Sequence, residues 1–177
     1  AGIPWASLGG AIVDTLLMAW LATVLAVVPS LPLSALAARN LAPIWLRTPI
    51  RALLNGFRAV PSILWALLAV GALGLGALAG VVALALYSVG YLTKFYYETF
   101  EASDPRVPEA LAALGVGRLG RFLAAELPAA RMGLLSSSVF MLEYNFRTAT
   151  VLGIVGAGGI GYELKLAVDW GNWHVVG

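Results

Sequence analysis

Two long stretches of this chain contain no Asp, Glu, Lys or Arg. Thr15 to Ala38 covers 24 residues and Ala59 to Thr93 covers 35. As a helix the first is roughly 36 Å long, enough to cross a ~30 Å hydrocarbon core with some tilt. The second would be roughly 52 Å long, too much for one crossing. Its middle, Gly71-Ala-Leu-Gly74-Leu-Gly76-Ala-Leu-Ala-Gly80, carries glycines where a turn is needed. The run therefore reads as two spans joined by a short glycine turn. Composition agrees: 60% apolar and 11% charged, against about 45–50% and about 25% in soluble domains. The expectation is an all-α integral membrane protein, a single transmembrane domain over 1–177, whose solvent is largely lipid.

Four spans are expected, at about 11–38, 53–73, 78–95 and 128–150. Pro29 and Pro32 should kink the end of the first. A glycine-rich stretch at 153–161 has five glycines in nine residues, too many for an ordinary helix. Arg39, Arg47, Arg51 and Arg58 follow the first span; Lys94, Arg106, Arg118, Arg121 and Arg131 lie between the third and fourth. The glycine turn holds none, so the nine cations mark one face as cytoplasmic. Trp5, Trp45, Trp170 and Trp173 suit an interfacial belt, while Trp20 and Trp65 fall within spans. The start lacks the basic region of a signal peptide and the end stops without a polar tail, so the sequence reads as cut at both ends.

The composition excludes several functions. A net charge of +2 gives no case for nucleic acid as a partner. Without cysteine, and with His174 as the one histidine, no disulfide framework, thiolate nucleophile, catalytic residue set or metal site can be assembled. No cofactor is expected. Gly156-Ala-Gly158-Gly159-Ile-Gly161 spells a dinucleotide fingerprint, but the βαβ context is missing and only 16 residues follow. No Walker Gly-Lys-Ser/Thr occurs either, so ATP chemistry would have to reside on another polypeptide. Ser136, Ser137 and Ser138 have no base nearby and read as small packing residues.

The segment 104–127 is the most specific. Asp104-Pro105, or Pro108 with Glu109 in the first turn, opens a helix; Gly115 closes it after about two turns. A second helix starts at Arg118 and leads into the fourth span. Glu109-Ala110-Leu111, Gly115 and Leu127-Pro128 stand at the spacing of the Glu-Ala-Ala loop of bacterial ABC importer permeases, with Leu111 for the second Ala and Ala125 for Ile. Glu143-Tyr-Asn-Phe-Arg147 with the glycines that follow, Ala35 to Pro43, and Arg58-Ala-Val-Pro61 resemble the phosphonate- and phosphite-type permeases, although Ser62 stands where an acid is expected.

That resemblance implies the type I permease (MetI-like) fold, a multi-span bundle with a cytoplasmic coupling helix. It implies import of phosphonate, phosphite or phosphate, with Glu109, Ala110, Leu111, Gly115, Leu127 and Pro128 engaging a separate ATPase dimer. The other implied partners are a periplasmic or lipid-anchored binding protein and a second permease subunit, as a homodimer. A permease for another solute such as methionine stays open, as does a secondary transporter with broken helices. Glu143 and Arg147, i and i+4, lie roughly 18 and 24 Å up the fourth span from Arg131. They either brace the span or, with Asn145, line the path of an oxyanion. Gly156, Gly158 and Gly159 suit a gate or a dimer seam.

Overall fold

The computed structural model describes residues 5–170, with side chains from residue 8 onward. Trp173 and His174, and the side chain of Trp5, lie outside the described residues. Every regular element described is helical: α1 (Trp5–Ala37), α2 (Ile44–Ala59), α3 (Ser62–Leu73), α4 (Ala77–Ala102), α5 (Arg106–Ala113), α6 (Arg118–Arg121), a π-helical turn (Phe122–Glu126), α7 (Leu127–Leu152), a 3-10 turn (Gly153–Val155) and α8 (Gly159–Asp169). Among the described residues three helical stretches are long and apolar enough to cross a membrane, or four if α2 and α3 count as one broken span.

The second expected span is not one helix. α2 is amphipathic, with Leu54 buried and Arg47, Arg51 and Arg58 along it, and it ends at Ala59. Pro61 forces the break: its ring disfavours helical backbone at Val60 and it has no N–H to continue the ladder. Extended there (φ −57°, ψ 146°), it accepts the Leu64 N–H at 3.0 Å to start α3. α3 alone has 12 residues, roughly 18 Å, short of a full crossing. α1 continues as helix through Pro29 and Pro32 to Ala37. The glycine turn falls where expected, with Gly74 and Gly76 at φ 87° and 139°.

The chain divides into two compact units. The first takes the chain up to Ala26, residues 59–88, and the chain from Met141. Its core joins Met18 and Ala22 of α1, Ala66 and Ala69 of α3, Ala79, Ala83 and Leu84 of α4, and Ala149 and Leu152 of α7. Alanines dominate because small side chains let membrane helices approach closely. Gly80 shows the limit: a Cβ there would sit 2.9 Å from Met18 Sδ and 3.1 Å from the Ala157 carbonyl oxygen.

The second unit comprises residues 27–58 and 89–140. Leu92, Tyr96 and Phe100 of α4 are its large buried side chains, and Leu54 joins from α2. Tyr96 donates its hydroxyl proton to Ser138 Oγ at 2.6 Å, because Ser138 spends its own on the Leu134 carbonyl. Ser138 is thus a hydrogen-bonding residue as well as a small one.

Candidate functional site

Helix α5 is short, and both of its ends are closed locally. The Asp104 carboxylate accepts the Arg106 backbone N–H at 3.0 Å and its guanidinium Nε at 2.8 and 3.0 Å. Those bonds hold the Asp104 carboxyl below the usual carboxylate range. They also explain why the helix begins two residues before Pro108. At the other end Val116 N–H reaches the Leu111 carbonyl and Gly115 N–H the Ala112 carbonyl, both at 3.0 Å. With Gly115 at φ 79° this is a Schellman stop, which needs a left-handed residue at that position.

Nothing on α5 is buried. Val107, Leu111 and Leu114 follow at i, i+4 and i+7 on one face, and Val107 and Leu114 are 57% and 79% exposed. Glu109 and Ala110 lie on the same short helix. Leu111, between them, is half-buried where α5 meets α6 and the π turn, so this short helix leaves Val107 and Leu114 exposed.

After Gly117 the chain enters α6 and then one π turn, in which Leu127 N–H bonds back to the Phe122 carbonyl. The cause is Pro128. It cannot donate to the Ala124 carbonyl and its ring crowds that oxygen, so the wider turn moves the carbonyl aside. The π turn buries Ala125 and Glu126, and Phe122 packs edge-on against Phe100 at 5.6 Å between centroids. Asn40 donates its amide to Glu126 Oε2 at 3.1 Å and to the Phe100 carbonyl at 3.0 Å.

Next to Phe100, Glu101 collects two arginines. It accepts the Arg39 backbone N–H at 2.7 Å, Arg39 Nε at 3.0 Å and the Arg51 guanidinium. Arg51 also lies 4.2 Å over the Tyr97 ring and donates to the Ala37 carbonyl at 2.8 Å, satisfying an orphan acceptor at the end of α1. Sequence reading misses Asn40, Glu101 and Glu126. The available signal is local: two acids near helix ends in an otherwise apolar neighbourhood.

The candidate pathway residues lie in the first unit. Glu143 and Arg147 form an i, i+4 ion pair whose side chains are both largely exposed. Asn145 faces the other way and is fully buried. It accepts the Ser88 hydroxyl and donates to Thr23 Oγ1, both at 3.0 Å, so one amide ties α1, α4 and α7 together. Gly156 and Gly159 are buried at the corner before α8. Gly76 N–H donates to the Gly156 carbonyl at 2.9 Å, and Ile160 N–H to Thr15 Oγ1 at 2.9 Å. Gly156, Gly158 and Gly159 all have positive φ.

A family signature overlies this geometry. Residues 30–174 match the model of the binding-protein-dependent transport system inner membrane component. The chain belongs to that family. This inner membrane component is 44% identical over 154 residues to the phosphite transport system permease protein of Stutzerimonas stutzeri, covering 86% of this chain and 56% of that protein. It is 43% identical over 164 residues to the phosphate-import permease protein of Mycolicibacterium smegmatis, covering 92% and 31%. The chain thus spans less than two thirds of the length of either relative. Its fold matches a chain of the MetNI methionine ABC transporter in an inward facing conformation, with TM-score 0.84 at 21% identity over 99% of this chain and 88% of that one. The type I importer permease fold implied by the resemblance is therefore the fold found. The bacterial inner membrane is its place, in keeping with its long apolar helices.

Proposed function

We propose that this chain forms half of the membrane pathway of an ATP-driven importer for phosphonate, phosphite or phosphate. In this reading α5 seats in a cytoplasmic ATPase dimer. A periplasmic or lipid-anchored binding protein delivers the anion, and a second copy of the chain completes the pore. One observation carries the reading: the short α5, closed at both ends, with Val107 and Leu114 exposed on it. Burying one such side chain contributes about 1.5–3 kcal/mol, which favours docking of this helix in a partner's groove. Relatives at 43–44% identity named for phosphite and phosphate favour a phosphorus oxyanion over methionine as cargo.

The proposed stroke follows the covalent path. Nucleotide-driven closure of the ATPase moves α5 as a rigid body. The Gly115–Gly117 link passes the displacement to α6, and the helix beyond carries it into α7. ATP hydrolysis takes place on the ATPase chain. Glu143 and Arg147, with the corner at Gly156, Gly158 and Gly159, are assigned to the translocation path or its gate, whereas Asn145, buried and bonded to Ser88 and Thr23, ties the helices behind them.

Two variants test the assignments. Glu109→Lys with Gly115→Asp should abolish co-purification with the ATPase and uptake of radiolabelled phosphite; unchanged association and uptake would remove the coupling role. Arg147→Ala should abolish uptake with assembly intact. Normal uptake in that variant would leave the Glu143–Arg147 pair a purely structural brace.

A further inference from the structure

A cleft of about 340 Å³ opens in the second unit between the end of α1 and the α6–π segment. Arg39, Asn40, Arg118, Arg121, Phe122 and Glu126 are among the residues lining it. Three guanidinium groups face one carboxylate, and that carboxylate is buried and already held by Asn40. Arg39 commits its Nε to Glu101, which leaves its terminal nitrogens available. Neither Arg118 nor Arg121 makes an ion pair within 4 Å among the described residues, and the Arg121 Nε is buried without a hydrogen-bond partner. An arginine fork of this kind matches a tetrahedral oxyanion, to which it donates in pairs.

We propose that this cleft binds a phosphate group on the cytoplasmic side of the membrane, held by Arg118 and Arg121 with Arg39 opposite. The same chemistry is offered by the headgroup of an anionic phospholipid and by free phosphate. Ile44, Trp45, Leu119 and Leu123 adjoin the lining residues in sequence and are exposed, as residues meeting an acyl-chain boundary would be. A group bound here would brace α6 against the end of α1, and so act on the link between α5 and α7. The binding itself depends neither on the cargo nor on the direction of transport.

The test uses the full-length permease with its ATPase in phosphatidylcholine nanodiscs, followed by native mass spectrometry. Phosphatidylglycerol in the disc and inorganic phosphate in the buffer are the two probes. One of them should be retained by the wild type, and the retained probe names the source. Arg118→Gln with Arg121→Gln should lower retention by about a hundredfold or more, the scale expected when two charge-assisted contacts are lost, whereas Arg131→Gln should not. If the double variant fails to fold, Arg118→Gln alone, at an exposed position, should still weaken retention. Failure of the wild type to hold either probe, or retention indifferent to Arg118 and Arg121, would overturn the proposal. Because the readout is retention rather than uptake, it fails separately from the import reading.

Discussion

At the scale of single residues, Glu101 carries the most. Two arginines from separate elements meet on it, and its side chain is 13% exposed. Glu101→Gln keeps the shape and removes the charge, leaving Arg51 half-buried opposite a neutral amide. Losing one partner of a buried pair costs about 3–5 kcal/mol; the partial exposure of Arg39 and Arg51 lowers that toward about 2 kcal/mol. The loss should register as a lower unfolding temperature of the detergent-solubilised permease, with Glu98→Gln as an exposed control. Asp104 gives a prediction with a sign. Its folded pKa is depressed, so its contribution to α5 is complete above the unfolded value of about 4. That contribution is lost as pH falls through the lower folded value. Asp104→Ala at neutral pH should therefore raise hydrogen exchange at the first turn of α5 and leave α7 unchanged. None of these long-range partnerships around Glu101 and Glu126 is legible in the chain, since Arg39 and Glu101 are 62 positions apart and Asn40 and Glu126 are 86 apart.

At the scale of elements, composition and turn chemistry make most of the fold legible. Uncharged runs locate α1 and α4, Gly74 and Gly76 locate the turn between α3 and α4, and Asp104 with Gly115 bounds α5. α2 is hidden because its arginines count as loop charges, although Leu46, Ile50, Leu53, Leu54 and Phe57 give it an apolar face. Pro61 is visible, yet the apolar residues on both sides of it disguise the break as part of a span, and α8 is masked by the glycines that open it. The π turn cannot be read from pattern alone, because Pro128 sits at the second position of α7, where proline is ordinarily tolerated. Replacing it gives an element-scale prediction. In Pro128→Ala the Ala124 carbonyl regains a donor and the turn can relax to α. That would rotate α6 by about 100° against α7. On the proposed import reading, ATPase activity should persist while phosphite uptake falls, measured together in proteoliposomes; unaltered coupling would show that the π turn plays no part in transmission.

At the scale of the whole molecule, lipid is the main solvent. Leu16, Leu17, Trp20, Leu25 and Val28 of α1 are exposed, a surface that water would not tolerate at this extent. Leu25→Arg should cost about 2.5–3.5 kcal/mol of insertion free energy, read as a lower inserted fraction in a translocon glycosylation assay. The class of protein is legible because uncharged helices of this length are stable and soluble chiefly in a bilayer. The phosphorus-oxyanion reading rests instead on the resemblance at Glu143–Arg147, Ala35–Pro43 and Arg58–Pro61, residues that do not separate phosphonate from phosphite or phosphate.

The exposed Val107 and Leu114 of the α5 segment also bear on how such a protein is made. If α5 docks on an ATPase as proposed, a chain synthesised without that partner would show Val107 and Leu114 to the cytosol, where chaperones and proteases recognise such surface. Orphan copies should be short-lived in a pulse-chase, and co-expression of the ATPase should prolong their life. Supply of the two polypeptides would then be balanced by turnover as well as by transcription.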